Sequence, residues 1–168
     1  MEHKIFMDTN IIYDFEIDDV TLPDYKITRS ILEWLRDNLS QLKDDNLQTI
    51  FNKVNLGYNE NSLKGLGKKP VCDIYLSNIK YKDYLDYQVP DRYETVIVVS
   101  LKGNANNTYA KGLELHDYIL QEFIENKTWR ELTDTVQDTR ILNSEVQING
   151  GNKVWGTLLL FELEHVLI

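Results

Sequence analysis

The chain has one cysteine in 168 residues, which excludes an internal disulfide framework. Cys72 lies inside the apolar run Val71 to Leu76 and reads as a buried thiol kept in a reducing compartment. Basic residues are also scarce: 18 Lys and Arg face 27 Asp and Glu, for a net charge of −9. Duplex-DNA binders neutralise phosphates with clustered cations, and the longest basic cluster here is Lys68-Lys69, so sequence-specific nucleic-acid binding is not expected. No apolar run approaches the roughly 18 residues of a membrane span, and Met1-Glu2-His3-Lys4 does not open a signal peptide. Internal repeats and low-complexity tracts are missing too. At this length, 42% hydrophobic and 27% charged residues suit one globular domain with a real core.

The pattern divides residues 1–23, an acidic N-terminal arm with Asp8, Asp14, Glu16, Asp18 and Asp19, from a single domain over 24–168. Ile27, Ile31, Leu35, Leu39 and Leu42 recur at spacings of three and four and predict a helix from Asp24 to about Lys43. A strand is expected over Asn46 to Leu56, then a long loop from Gly57 to Pro70 marked by glycine, proline and small polar residues. Val71 to Ile79 and the β-branched Tyr93 to Leu101 read as strands, with Lys80 to Arg92 as a connecting segment crowded with tyrosines. A second helix spans about Thr108 to Glu125, with Leu113, His116, Leu120 and Phe123 or Ile124 on one side and Gly112 allowing close approach to the sheet.

Thr139 to Ile148 and Val154 to Ile168 flank Asn149-Gly150-Gly151-Asn152, whose residues tolerate positive φ, so these two runs form an antiparallel hairpin. Trp155, Leu159, Phe161 and Leu163 stand on one side of the last strand, and Val154, Leu158 and Leu160 on the other. Strands follow one another without a helix between each pair, which favours antiparallel pairing. The expected fold is α+β: a mainly antiparallel mixed sheet with two helices packed on one face. The second face is left for another layer or another subunit.

Catalytic constellations are thin. Phe6-Met7-Asp8-Thr9-Asn10-Ile11-Ile12 resembles the opening strand of PIN-domain nucleases, where the Asp at the strand end ligates Mg²⁺; that resemblance implies a metal-dependent nuclease using Asp8. The motif then runs into Asp14-Phe15-Glu16-Ile17-Asp18-Asp19 instead of a helix. Gly65-Leu66-Gly67-Lys68-Lys69 lacks the glycine spacing and the Ser or Thr of a phosphate-binding loop. His3, His116 and His165 have no partner at metal-ligand spacing, and no serine sits in a nucleophile elbow. No catalytic residue, metal ligand or cofactor is therefore assigned. Tyr81, Tyr84 and Tyr87, with Leu63, Leu66 and Lys68 of the preceding loop, are the candidate interface residues, because tyrosine joins an apolar ring to a polar tip.

Taken in order, Ile31-Leu32-Glu33-Trp34-Leu35, the strand Val71 to Ile79, Glu94-Thr95-Val96-Ile97-Val98-Val99, Leu113-Glu114-Leu115-His116-Asp117-Tyr118-Ile119 and Trp155-Gly156-Thr157-Leu158-Leu159-Leu160-Phe161 resemble the tail terminator, or tail completion, proteins of long-tailed bacteriophages. The resemblance spans residues 24–168. It implies a non-enzymatic virion protein, made in the host cytoplasm and placed at the head-proximal end of the tail. There a homohexameric ring caps the tail tube, stops its growth and offers a surface to the head connector. The acidic arm departs from that pattern. Under this reading the tube protein, the connector and other copies of the chain are the partners, and surplus acid lines a channel that DNA crosses without sticking.

Overall fold

The computed structural model describes residues 23–57, 69–85, 87–103, 105–130, 135–149 and 156–168. Asp8, Leu63, Leu66, Lys68 and Trp155 lie outside them. The elements are α1 (Pro23–Ser40), β1 (Lys53–Leu56), β2 (Val71–Tyr84), β3 (Tyr87–Lys102), α2 (Ala105–Glu125), α3 (Lys127–Arg130), β4 (Val136–Asn149) and β5 (Gly156–Leu167). The strands form one five-stranded sheet in the order β1-β2-β3-β5-β4. Only the β1–β2 pair is parallel; the other three are antiparallel. The fold is thus α+β with a mixed, mainly antiparallel sheet. A third, four-residue helix joins the two expected from the sequence.

Pleating fixes which side chains meet the helices. Cys72 and Ile74 on β2, Tyr93, Ile97, Val99 and Leu101 on β3, and Leu159, Phe161 and Leu163 on β5 share one face and one core with Ile31, Leu32, Leu35 and Leu39 of α1, Leu115, Ile119 and Phe123 of α2 and Trp129 of α3. Trp129 is clasped edge-on by Phe123 and Trp34, with ring centroids 4.8 and 6.2 Å away. On the opposite face Val71, Val96 and Val98 are also buried but stand outside that cluster. The same face buries Asp73, whose Oδ1 accepts from Asn55 Nδ2 at 2.8 Å.

Three expectations are corrected. Asn46 to Leu56 is not one strand: Asp44 Oδ1 accepts from the backbone N–H of Asn46 and Gln48 at 2.9 and 3.0 Å. With Leu47 at φ 62°, a carboxylate-held turn occupies 44–48, and only Lys53–Leu56 is extended. Lys80 to Arg92 is not a connecting loop; it is the far part of the β2–β3 hairpin, closed by the register pair Tyr84↔Tyr87 with Leu85 at φ 55°. Register shifts at Leu76/Asn78 and Lys80/Tyr81 re-aim the strands along the way. Pro90 is tolerated because β3 runs past β5 there, so one side of the strand has no ladder to lose. The stripe of α2 is Leu115, Ile119 and Phe123, whereas Leu113 and Ile124 are exposed.

Gly112 does what its size suggests. A Cβ there would sit 2.9 Å from Thr157 Cγ2 and 3.5 Å from Leu159 Cδ2, so the absent side chain sets the distance between α2 and β5. Gly112→Ala gains about 1 kcal/mol of helix propensity and loses about 1–3 kcal/mol to overpacking. We expect net destabilisation in urea unfolding. Adding Thr157→Ser removes the clashing methyl, spares the Oγ1 that donates to Thr108 at 3.0 Å and should recover part of the loss. A Gly112→Ala protein more stable than wild type by about 1 kcal/mol, the helix-propensity gain alone, would mean the two elements are not in close contact.

Candidate functional site

Three surface features stand out from this frame. The first is the hairpin. β5 pairs with β3 only from Arg92 to Lys102, and β1 pairs with β2 only from Val71 to Ile74. Beyond Arg92, four register pairs from Tyr81↔Pro90 to Tyr84↔Tyr87 continue as a two-stranded ribbon, about 13 Å of it at about 3.3 Å per residue. Of the tyrosines singled out in the sequence, Tyr81 is 49% exposed on this ribbon, and Tyr84 and Tyr87 are paired across its end. Tyr93 is different: it is fully buried in the core.

A charge cluster holds the ribbon at its base. Glu164 is nearly buried, and Lys80 Nζ and Arg92 Nη1 approach its two carboxylate oxygens at 3.6 and 3.3 Å. Lys80 Nζ also lies 2.7 Å from Glu94 Oε1, a hydrogen bond that raises the lysine pKa. These contacts tie β2, β3 and β5 together just before the ribbon leaves the sheet. They position the tip relative to the body.

The second feature is the flank of α2 and β4. Tyr109, Leu113 and Ile124 on α2 and Leu142 and Ile148 on β4 are all exposed, and the outer edge of β4 has no strand beside it among the described residues. Exposed apolar groups and an open strand edge are common ingredients of protein–protein contacts. Sequence reading missed this surface because α2 carries two apolar stripes, and spacing alone does not say which one turns inward.

The third is a cleft of about 650 Å³ where the 43–50 turn, the ends of β2 and β3 and the first half of α2 converge. Lys43, Lys69, Lys102 and Lys111 line it above an apolar floor that includes Ile50, Leu101 and Leu115. Asp44, Asp45 and Glu114 are the acids of its wall, and the carboxylate of Asp44 is committed to its turn. Loop residues Leu63, Leu66 and Lys68 precede Lys69-Pro70, on the rim of this cleft, in the chain.

Among the described residues no group of three His, Cys, Asp or Glu side chains is placed to hold a metal ion. Cys72 is fully buried, and that burial, followed by the charge of Asp73, pushes its thiol well above the usual range, away from nucleophilic use. His116 stacks on Phe161 at 5.1 Å and meets Ser144 Oγ through Nε2 at 2.9 Å, a histidine at the edge of the core. No helix is long and apolar enough to cross a membrane among the described residues.

His165 is a structural bridge. Its Nε2 lies 2.7 Å from Thr95 Oγ1 on β3 and its Nδ1 2.9 Å from Thr139 Oγ1 on β4, so one imidazole on β5 joins three strands. Hydroxyls can donate or accept, and either neutral tautomer is satisfied. Burial lowers its pKa to about 3. Between about pH 6.5 and 3 the unfolded chain therefore holds one more proton at this site than the folded one. The stability tied to it is full above pH 6.5 and falls on acidification at about 1.4 kcal/mol per pH unit. Between pH 6.5 and 5, wild type should lose about 2 kcal/mol relative to His165→Gln in urea unfolding. Parallel pH profiles for the two proteins would contradict a neutral buried imidazole.

No protein-family model matches the chain, and neither does any curated protein.

Proposed function

We propose that this chain is a structural subunit of a long-tailed bacteriophage, a tail terminator that caps the tail tube as a homohexameric ring, ends its polymerisation and presents the surface to which the head connector joins. It works without enzymatic turnover, in the virion at the head-proximal end of the tail, after synthesis in the host cytoplasm. Its partners are neighbouring copies, the tube protein and the connector.

The observation that carries this reading is the ribbon of β2 and β3 that overruns the sheet, braced at its base by Lys80, Arg92, Glu94 and Glu164. A projecting ribbon with tyrosines at its end suits a subunit that must reach a second component. The open edge of β4, with Leu142 and Ile148 exposed, supports lateral contact as well. A ring needs heterologous contacts, in which one patch meets a different patch on the next copy and a fixed rotation closes the circle. The separate surfaces described above supply unlike patches.

Light scattering on the purified chain tests the assembly: the reading expects a mass near six copies, in solution or on addition of tail tubes. Nucleic-acid cleavage that needs Mg²⁺ or Mn²⁺ and vanishes in Asp8→Asn would favour the PIN-like nuclease alternative instead.

A further inference from the structure

The second face of the sheet is buried, yet no described element lies over it. Its rows across β2, β3 and β5 are Val71, Ser100 and Leu158, then Asp73, Val98 and Leu160, then Tyr75, Val96 and Glu162. Val71, Asp73, Val96, Val98 and Ser100 are buried, and Leu158 and Leu160 are half-buried. A sheet face that meets water carries polar residues, whereas this one carries five aliphatic side chains at its centre. All three helices send their buried apolar side chains, Leu35, Ile119 and Trp129 among them, into the core on the other face, as do Leu42 and Phe51 of the segment 41–52. The cover must come from outside the described residues. Because the burial is reached within one chain, that cover belongs to the same copy.

The N-terminal arm, which lies outside the described residues, has the pattern for this task. Ile11, Tyr13, Phe15 and Ile17 alternate with Ile12, Asp14, Glu16 and Asp18. In an extended strand that repeat puts apolar groups on one side and acids on the other. The other candidates fit poorly: 58–68 holds only Tyr58, Leu63 and Leu66 as large apolar residues and shows no alternation, 131–134 is four residues long, and 150–155 only joins β4 to β5. Reach is no obstacle, since residues 1–22 extend to about 70 Å. Five strands are about 19 Å across. The arm ends at Pro23, the start of α1, and α1 packs on β1 and β2 at one edge of the sheet.

We propose that residues 11–17 lie as a strand across the second face of their own chain's sheet, with Ile11, Tyr13, Phe15 and Ile17 against its aliphatic centre and Asp14, Glu16 and Asp18 outward. This goes beyond the ring reading and does not depend on it. It gives the acidic arm a role: the arm completes the domain as a third layer and replaces an apolar face with an acidic coat. A partner that approaches from that side meets carboxylates, so apolar contact is confined to the sheet edges and the β2–β3 ribbon.

Two full-length variants at adjacent positions test the alternation, Phe15→Cys and Glu16→Cys, with circular dichroism confirming that each folds. Cys72 is fully buried and supplies a slow background for thiol labelling. The thiol of Phe15→Cys should react about tenfold or more slowly than that of Glu16→Cys, because it must leave the sheet before a reagent reaches it. Equal rates would overturn the proposal. The docking site is read separately, by putting the photo-crosslinking residue p-benzoylphenylalanine at position 15 of the full chain and mapping the product by mass spectrometry. The expected product runs as a monomer on a denaturing gel and is joined to Tyr75, Val96, Val98, Leu158 or Leu160. Cross-links to α1 or α2, a covalent dimer, or no product would each overturn it; the dimer would hand the arm to a neighbouring copy.

Discussion

Phe161→Asp is expected to leave no folded protein at 25 °C. Phe161 is fully buried on β5, opposite Ile97 of β3 and Ser144 of β4, with its ring stacked on His116. Removing a buried phenylalanine costs about 3–5 kcal/mol through lost transfer energy and the cavity left behind. Placing an ionised carboxylate there, with no cation in the apolar layer, adds several kcal/mol more. Domains of this kind are stable by about 5–15 kcal/mol, so the sum reaches or exceeds the whole margin. Leu159→Asp, two residues along the same buried row, should behave the same way. Phe161→Leu, which keeps the site apolar, is the control and should fold with a lower unfolding midpoint. A cooperative thermal transition in Phe161→Asp, close to that of wild type, would mean the last strand is placed wrongly.

The second large effect is functional. Tyr84 and Tyr87 pair across the end of the ribbon, about 13 Å beyond the last residue that β5 supports. Tyr84→Ser/Tyr87→Ser should unfold at nearly the wild-type temperature. Interface tyrosines that act as anchors contribute about 2 kcal/mol when truncated, or about 30-fold in affinity. Under the proposed function, the expected phenotype is tails that overgrow or fail to join heads, counted by electron microscopy of lysates, with normal yields of soluble subunit. Tails of normal length joined to heads would place the contact away from the ribbon.

What could be read in advance, and what could not, follows from local physics. The α1 stripe is unambiguous because Ile27, Ile31, Leu35 and Leu39 have no rival apolar row, and Ile31, Leu35 and Leu39 are fully buried. The last two strands were signalled by their turn chemistry, and they pair antiparallel as expected. The outer half of the β2–β3 hairpin was hidden because its residues are polar, include Pro90 and change register twice, so the alternation that marks a strand is broken. On α2, Leu113 and Leu115 compete for the inner face, and only the packing against β5 through Gly112 decides for Leu115. The parallel pairing of β1 rests on four residues, too few for a pattern. His165 gave no sign of its role, since a histidine that bridges two threonines from other strands leaves no local motif. The lysine cleft likewise gathers residues from 43 to 111 that no spacing rule connects.

The central proposal, that this chain caps a tail tube as a ring, meets its most direct test in negative-stain imaging of the purified protein with and without bacteriophage tail tubes. The proposal predicts six-fold ring views and a cap of extra density at one end of each tube, with tubes no longer extending once capped. Tubes that keep growing with bare ends, in the presence of a folded chain that never forms rings, would contradict it.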